Sequence, residues 1–314
     1  MTESAGTSAW TADRIPDQSG RTFVVTGANS GLGLATTGQL ARRGAHVVMA
    51  VRDEAKGQRA LDGIAAAHPG ASLELRRLDL ADLDSVRAFA ERLHADGVRV
   101  DVLINNAGVM MPPRVLSPQG HESQFATNHL GHFALTGLLL DLLEAGSDPR
   151  VVTVTSLMHR RGSIHFDDLS GERSYAPTAF YSQSKFANAL FGLELHRRLV
   201  AAGSPVRSLL AHPGYSATNL QTSGPTGLSR TLGNIGNRVL AQSADMGALP
   251  QLYAATAPDA EGGQLIGPGG FVEMRGHPKV VKPVATAEDP ATAARLWTLS
   301  EELTGVHYLE RVPS

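Results

Sequence analysis

The sequence contains no cysteine. That excludes disulfides, thiolate nucleophiles and cysteine-ligated metals, and nothing points to an oxidising compartment. An excess of charge of either sign is missing too. Twenty-eight basic side chains stand against 30 acidic ones, a formal net charge of −2, so no global field draws in nucleic acid or an anionic membrane. Any phosphate must be recognised locally. No run is apolar for long enough to span a bilayer. Residues 1–19 are polar, carry Glu3 and Asp13, and lack an apolar signal core. They read as a soluble leader, packed at Trp10 and Ile15, on a cytoplasmic protein. Short repeats, low-complexity tracts and Pro/Ser-rich linkers are absent from residues 20–212, and 20–314 is taken as one domain.

What is present is an alternation of periods. Short β-rich runs occur at 22–25, 45–51, 72–77, 100–105, 151–155 and 206–211, and helical patterns at 32–43, 54–67, 83–95, 122–144 and 178–202. Runs such as Val47-Val48-Met49-Ala50 and Val151-Val152-Thr153-Val154 are apolar or small at successive positions, as in strands covered on both faces. The pattern predicts an α/β fold: a doubly wound parallel sheet with helices on both faces. After Pro213-Gly214 the pattern breaks, and residues 214–240 read as a lid over substrate. A helix is predicted over 244–256, then a Gly/Pro-rich segment through Gly276, then a last helix over 290–303 stopped by Gly305.

The centre of the chain is Thr26-Gly27-Ala28-Asn29-Ser30-Gly31-Leu32-Gly33, between a strand and a helix. Such a turn aims the helix's free N–H groups at an anion above it. Gly27 allows the turn out of the strand, Gly31 clears a path to the backbone, and Gly33 lets the helix pack closely. The second strand ends in Val51-Arg52-Asp53. An acid there accepts from a ribose 2′-hydroxyl, whereas an arginine meets a 2′-phosphate. Arg52 is favoured, because Val51 occupies the place expected for the acid. Asp79, in Leu78-Asp79-Leu80, is open to two readings, an acceptor for an adenine amino group or a helix cap. Asn105-Asn106-Ala107-Gly108 follows the fourth strand on the same edge, where small residues admit a sugar.

Tyr181 and Lys185 stand at i and i+4 at the start of a long helical pattern, on one helix face. A neighbouring ammonium stabilises phenolate and lowers a tyrosine pKa, which makes Tyr181 a proton donor and acceptor. Ser156 ends the fifth strand, where its hydroxyl meets a carbonyl or alcohol. Asn128, in the preceding helix, is expected to support a water leading to Lys185.

Taken together, and in this order, these motifs resemble the short-chain dehydrogenases/reductases over residues 20–215. The resemblance implies a Rossmann-like single domain, and Asn128, Ser156, Tyr181 and Lys185 as the catalytic set. It also implies a nicotinamide cofactor, NADP(H) before NAD(H), contacted by Gly27, Asn29, Ser30, Gly31, Leu32, Gly33, Arg52, Asp79, Leu80, Asn106, Ala107, Gly108, Tyr181, Lys185, Pro213, Gly214 and Thr218. The interval from Ser156 to Tyr181, His165-Phe-Asp-Asp-Leu169, Ser184-Lys-Phe-Ala-Asn188, His212-Pro-Gly214, Leu252-Tyr-Ala-Ala-Thr256 and Leu303-Thr-Gly305 look like the branch of retinol dehydrogenases and protochlorophyllide reductases. The expected activity is hydride transfer between nicotinamide and an apolar carbonyl/alcohol pair, with no metal. Reduction of a carbon–carbon double bond and a non-catalytic NADP(H)-binding sensor or scaffold are the alternatives. The expected partner is a small molecule, not nucleic acid or membrane, and self-association is left open.

Overall fold

The computed structural model describes residues 9–215 and 243–309. Its first half alternates strand and helix: β1 Thr22–Thr26, α1 Gly31–Arg42, β2 His46–Val51, α2 Glu54–Ala67, β3 Ser72–Arg77, α3 Leu83–Ala95 and β4 Val102–Asn105. There follow α4 Gly131–Leu138, α5 Leu140–Glu144, β5 Arg150–Val154, α6 Pro177–Ala201 and β6 Arg207–Ala211. The last described part holds α7 Ala244–Thr256, β7 Leu265–Pro268, β8 Pro278–Val281 and α8 Pro290–Thr304. The eight strands form one sheet in the order β3-β2-β1-β4-β5-β6-β7-β8. All are parallel except β8, which runs antiparallel to β7.

Successive side chains of the central strands enter opposite cores. In β1, Val24 packs into a layer with Phe89, Phe133 and Trp297, while Phe23 and Val25 pack into a second with Leu40, Leu249 and Leu252. A sheet buried on both faces needs apolar residues at consecutive positions, which is why β1, β4 and β5 read as continuous runs. The helices cover it with stripes at helical spacing; α3 buries Leu83, Val86, Phe89, Ala90 and Leu93. Their starts are capped by side chains that accept the first free N–H groups, from Asp53 at α2, Asp82 at α3, Ser243 at α7 and Asp289 at α8. Gly305, at φ 65°, ends α8 in the left-handed conformation that suits glycine. Ahead of β1, Ile15 is buried and Trp10 packs edge-on against Tyr253, ring centroids 5.3 Å apart.

Two expectations need correction. The helix expected over 122–144 is not one helix. A single α-turn at Ser123–Phe125 opens into a π-helical turn at Ala126–Leu130, then α4, and a break at Leu139 before α5. The Gly/Pro-rich segment through Gly276, given no strand by the sequence pattern, contains β7 and leads into β8. Four-residue strands with proline at one end are tolerated at a sheet edge, and Pro268 pairs with Pro278 there. The lid expected at 214–240 lies outside the described residues beyond Tyr215.

The strand order reverses between β1 and β4. Their connections leave in opposite directions, so a crevice opens over the carboxyl ends of these strands.

Candidate active site

The glycine turn lies at that crevice. Gly27 and Gly31 take φ 67° and 52°, which glycine adopts without steric cost. A Cβ at Gly33 would stand 2.3 Å from the Gly27 carbonyl oxygen, so α1 reaches the turn only because that position is bare. Ser30, in extended backbone, precedes α1 and makes no side-chain cap. The first N–H groups of α1 are left to face the crevice, an arrangement suited to a pyrophosphate.

Above the turn is a cavity of about 670 Å³. Asn29, Ser30, Gly31, Leu32 and Gly33 form one wall, and Asp79, Leu80, Asn106, Ala107 and Gly108 another. Arg52 lies at its rim, and among the described residues it has no hydrogen-bond or ion-pair partner. Asp53 is engaged as the α2 cap, accepting from the Lys56 N–H at 3.0 Å with the Lys56 ammonium 3.4 Å away. Lys56 and Arg59, one helical turn apart, line the same rim. Sequence reasoning missed this pair, although their spacing on α2 was a readable signal. The cap at α3 is Asp82, not Asp79. Asp79 accepts from the Ala81 N–H at 3.0 Å and stays on the cavity wall.

Thr26 joins the two central strands. Its hydroxyl oxygen accepts from the N–H groups of Asn106 and Ala107, both at 2.9 Å, and its carbonyl accepts from the Asn106 amide at 2.7 Å. Behind it, His132 is fully buried, with Nδ1 3.0 Å from the Asn128 carbonyl and Nε2 3.0 Å from the Thr26 hydroxyl. A carbonyl only accepts, so the ring proton is on Nδ1 and the threonine donates to Nε2. Burial holds this histidine neutral, its pKa pushed down to about 4. His132 carried no signal in the sequence beyond its place four residues after Asn128.

Asn128 lies in the π turn. Its amide oxygen accepts from the Val109 N–H at 2.8 Å, and its amide nitrogen donates to the Val109 carbonyl at 3.0 Å and to the Ser184 hydroxyl at 2.9 Å. These bonds tie the π turn to a neighbouring loop and to Ser184, and such π turns recur at functional sites. The amide nitrogen is thus engaged by protein, while the amide oxygen accepts one bond. Gly108 is close by: a Cβ there would stand 3.1 Å from the Asn128 amide oxygen and 3.5 Å from the Lys185 ammonium.

At the next strand end, Ser156 begins the short helical turn Leu157–Arg161. α6 brings Tyr181 and Lys185 to face it, 6% and 5% exposed. The Lys185 ammonium donates to the Val154 carbonyl at 3.1 Å, and desolvation pushes its pKa down to about 8. Burial pushes the Tyr181 phenol up, and the Ser156 hydroxyl acts against that. The net shift of the phenol is upward, with desolvation of the enclosed ring as its largest cause. Pro213 and Gly214 follow β6, next to the β5 end, where Gly214 has φ 65°. Ser156, Tyr181, Lys185, Pro213 and Gly214 do not line the 670 Å³ cavity; they continue the same sheet edge beyond Gly108. Thr218 lies outside the described residues. No group of three or more metal-ligating side chains occurs among the described residues, and no described helix is long and apolar enough to cross a membrane.

The glycine-floored cradle, the unengaged N–H groups of α1 and the cationic rim fit a dinucleotide lying along this edge. The family model for short chain dehydrogenases matches residues 21–227. Human retinol dehydrogenase 13 is 42% identical over 295 residues, covering 91% of this chain and 85% of that protein. Mouse polyprenol dehydrogenase is 41% identical over 295 residues, covering 93% and 86%. Among solved structures, an uncharacterized protein from Mycobacterium Paratuberculosis is 48% identical with a TM-score of 0.78, over 95% of this chain and 98% of that one. A structure from Beutenbergia cavernae with NADP bound at low occupancy is 28% identical with a TM-score of 0.62, over 79% and 94%. This chain belongs to the short chain dehydrogenase family, an oxidoreductase of its retinol dehydrogenase-like branch.

Proposed function

We propose that this protein is an NADP(H)-dependent oxidoreductase that interconverts a long, apolar alcohol and its carbonyl compound. The observation that carries the reading is the meeting of Ser156 with the buried Tyr181 and Lys185 along the sheet edge beyond a glycine cradle rimmed by Arg52. The names of the relatives, retinol and polyprenol dehydrogenases, support an apolar alcohol.

When bound, the nicotinamide supplies or accepts the hydride. The first turn of α1 and Gly27, Asn29, Ser30, Gly31, Leu32 and Gly33 hold the pyrophosphate, while Asp79 and Leu80 border the adenine. Arg52, with Lys56 and Arg59, neutralises a 2′-phosphate. Asn106, Ala107, Gly108 and Lys185 hold the nicotinamide ribose, and Pro213 and Gly214 the nicotinamide. Ser156 orients the substrate oxygen by a hydrogen bond, and Tyr181 donates its proton to that oxygen in reduction and takes it back in oxidation. Lys185, held by the Val154 carbonyl, keeps a positive charge beside the phenol. Asn128 fixes the Val109 loop against α6.

The test is to incubate purified protein with NADPH or NADH and a panel containing retinal, polyprenals and short aldehydes and ketones. Cofactor consumption is followed by absorbance and products by chromatography. Turnover is expected with long apolar aldehydes and NADPH. Bound NADPH that no carbonyl consumes would favour the sensor reading, and saturation of a carbon–carbon bond would favour the other alternative.

A further inference from the structure

The loop between β7 and β8 reaches back to the site. Val272 and Glu273 take φ 44° and 57°, a region that a β-branched residue rarely enters. Such a conformation persists only where the surroundings over-determine it. Here the Glu273 carboxylate does so, with one oxygen 2.9 Å from His212 Nε2 and the other accepting from Arg160 at 2.7 Å. His212 is wholly buried, and its Nδ1 accepts from the Gly214 N–H at 3.2 Å. The ring proton is therefore on Nε2, donated to Glu273. The His212 hydrogen bond, with Arg160 assisting, pulls the Glu273 carboxyl down to about 2, so it is ionised at any working pH. Backbone adds to the tie: the Tyr215 N–H donates to the Met274 carbonyl at 2.8 Å, and a Cβ on Gly214 would stand 2.4 Å from that oxygen.

One carboxylate thus grips two strand ends. Arg160 belongs to the turn that Ser156 begins, and His212 to the turn that leads into Pro213 and Gly214. We propose that Glu273 is a positioning residue that sets the Pro213–Gly214 turn, at the nicotinamide end of the cofactor site, against the Ser156 segment. This rests on the dinucleotide reading above. The loop that carries Glu273 lies far along the chain from either turn, and only β7 and β8 bring it there.

The experiment measures dissociation constants of the full chain for NADPH and for 2′,5′-ADP, which reaches only the Arg52 end, with thermal melts alongside. Variants are Glu273→Ala, Glu273→Gln and Arg160→Ala; NADH and ADP-ribose form the pair if the chain takes the other cofactor. Glu273→Ala leaves the buried His212 N–H without an acceptor and should weaken NADPH about tenfold, leaving 2′,5′-ADP unchanged. Glu273→Gln, which keeps an acceptor for His212, should recover part of the loss, and Arg160→Ala should show a smaller loss of the same kind. If Glu273→Ala does not fold, the other two variants carry the same comparison. Equal weakening of both ligands marks a merely structural residue and overturns the inference, as does no change in either. A wild-type chain that binds neither ligand overturns the cofactor reading, and this inference with it.

Discussion

The Lys185 ammonium lies 6.0 Å from the centroid of the Tyr181 ring, and both side chains are closed off from solvent. Burial opposes the charged form of each, pushing the phenol up and the lysine down to about 8. A phenolate at Tyr181 is therefore tolerable only while Lys185 keeps its proton, since the ammonium is the charge nearest to offset it. The Val154 carbonyl helps to retain that proton by accepting from the ammonium.

Tyr181→Phe keeps the ring in its buried place and deletes only the ionisable hydroxyl. Folding and cofactor affinity should survive, while turnover falls by about 10² to 10⁴, the usual share of general acid–base catalysis. Steady-state rates with the best aldehyde from the panel, set beside NADPH titrations, make the comparison. Turnover close to wild type would remove Tyr181 from the proton transfer.

Much of this is legible in the sequence. The consecutive apolar positions of β1, β4 and β5 identify a sheet buried on both faces, and the spacing of Tyr181 and Lys185 places them on one helix face. The π turn was not legible, because the apolar pattern over 122–144 runs through it unbroken. The turn coincides with a pair of bonds between the Asn128 side chain and the Val109 backbone, partners 19 residues apart in sequence. Nor was the duty of Asp79: it could cap or bind, and only the start of α3, capped by Asp82, decides. β7 and β8 were hidden by glycine and proline in strands four residues long. Glu273 is invisible in sequence because its partners, Arg160 and His212, come from two other strand ends.

Thr26 is the joint between β1 and β4, and its importance is structural. Thr26→Val keeps the shape but leaves the Ala107 N–H and His132 Nε2 without their partner, while the Asn106 N–H keeps the Ile104 carbonyl at 2.9 Å. Each orphaned buried group costs about 1–3 kcal/mol, so a loss of about 2–4 kcal/mol is expected once water and relaxation are allowed for. Urea unfolding read by circular dichroism measures it. A loss well under about 1 kcal/mol would show that the hydroxyl is not the joint.

Arg52 has no partner among the described residues at the cavity rim, whereas Asp53 is committed to capping α2. Arg52→Ala should weaken NADPH by about ten- to a hundredfold, the worth of one charge-assisted hydrogen bond, and leave NADH nearly unchanged. Lys56 and Arg59 remain on the rim, so residual preference for NADPH should fall further in a triple variant. Titration of both cofactors against each protein is the measurement. Equal wild-type affinities for NADPH and NADH would sink the assignment.

Lys185 should cost the fold stability that it returns as function. Its pKa is lowered from 10.5 to about 8 by burial, so below pH 8 it is protonated in both folded and unfolded chains and the whole desolvation penalty is present. Between pH 8 and 10.5 the folded chain loses its proton first, and the penalty shrinks as pH rises; above 10.5 it is gone. Lys185→Met fills the same space without a charge. It should be more stable than wild type by about 1–3 kcal/mol at pH 7, less the hydrogen bond to Val154, and the gain should fade towards pH 10.5. Asn188 still donates to the Val154 carbonyl at 3.2 Å, so that oxygen is not orphaned. Turnover should collapse in the same variant, and any residual oxidation should shift to higher pH, because the phenolate has lost its counter-charge. Thermal or urea unfolding of both proteins from pH 6 to 10.5, beside the oxidation pH–rate profile, tests both halves. A methionine variant less stable at pH 7, by a margin that does not change with pH, would mean that Lys185 holds the fold together rather than burdening it.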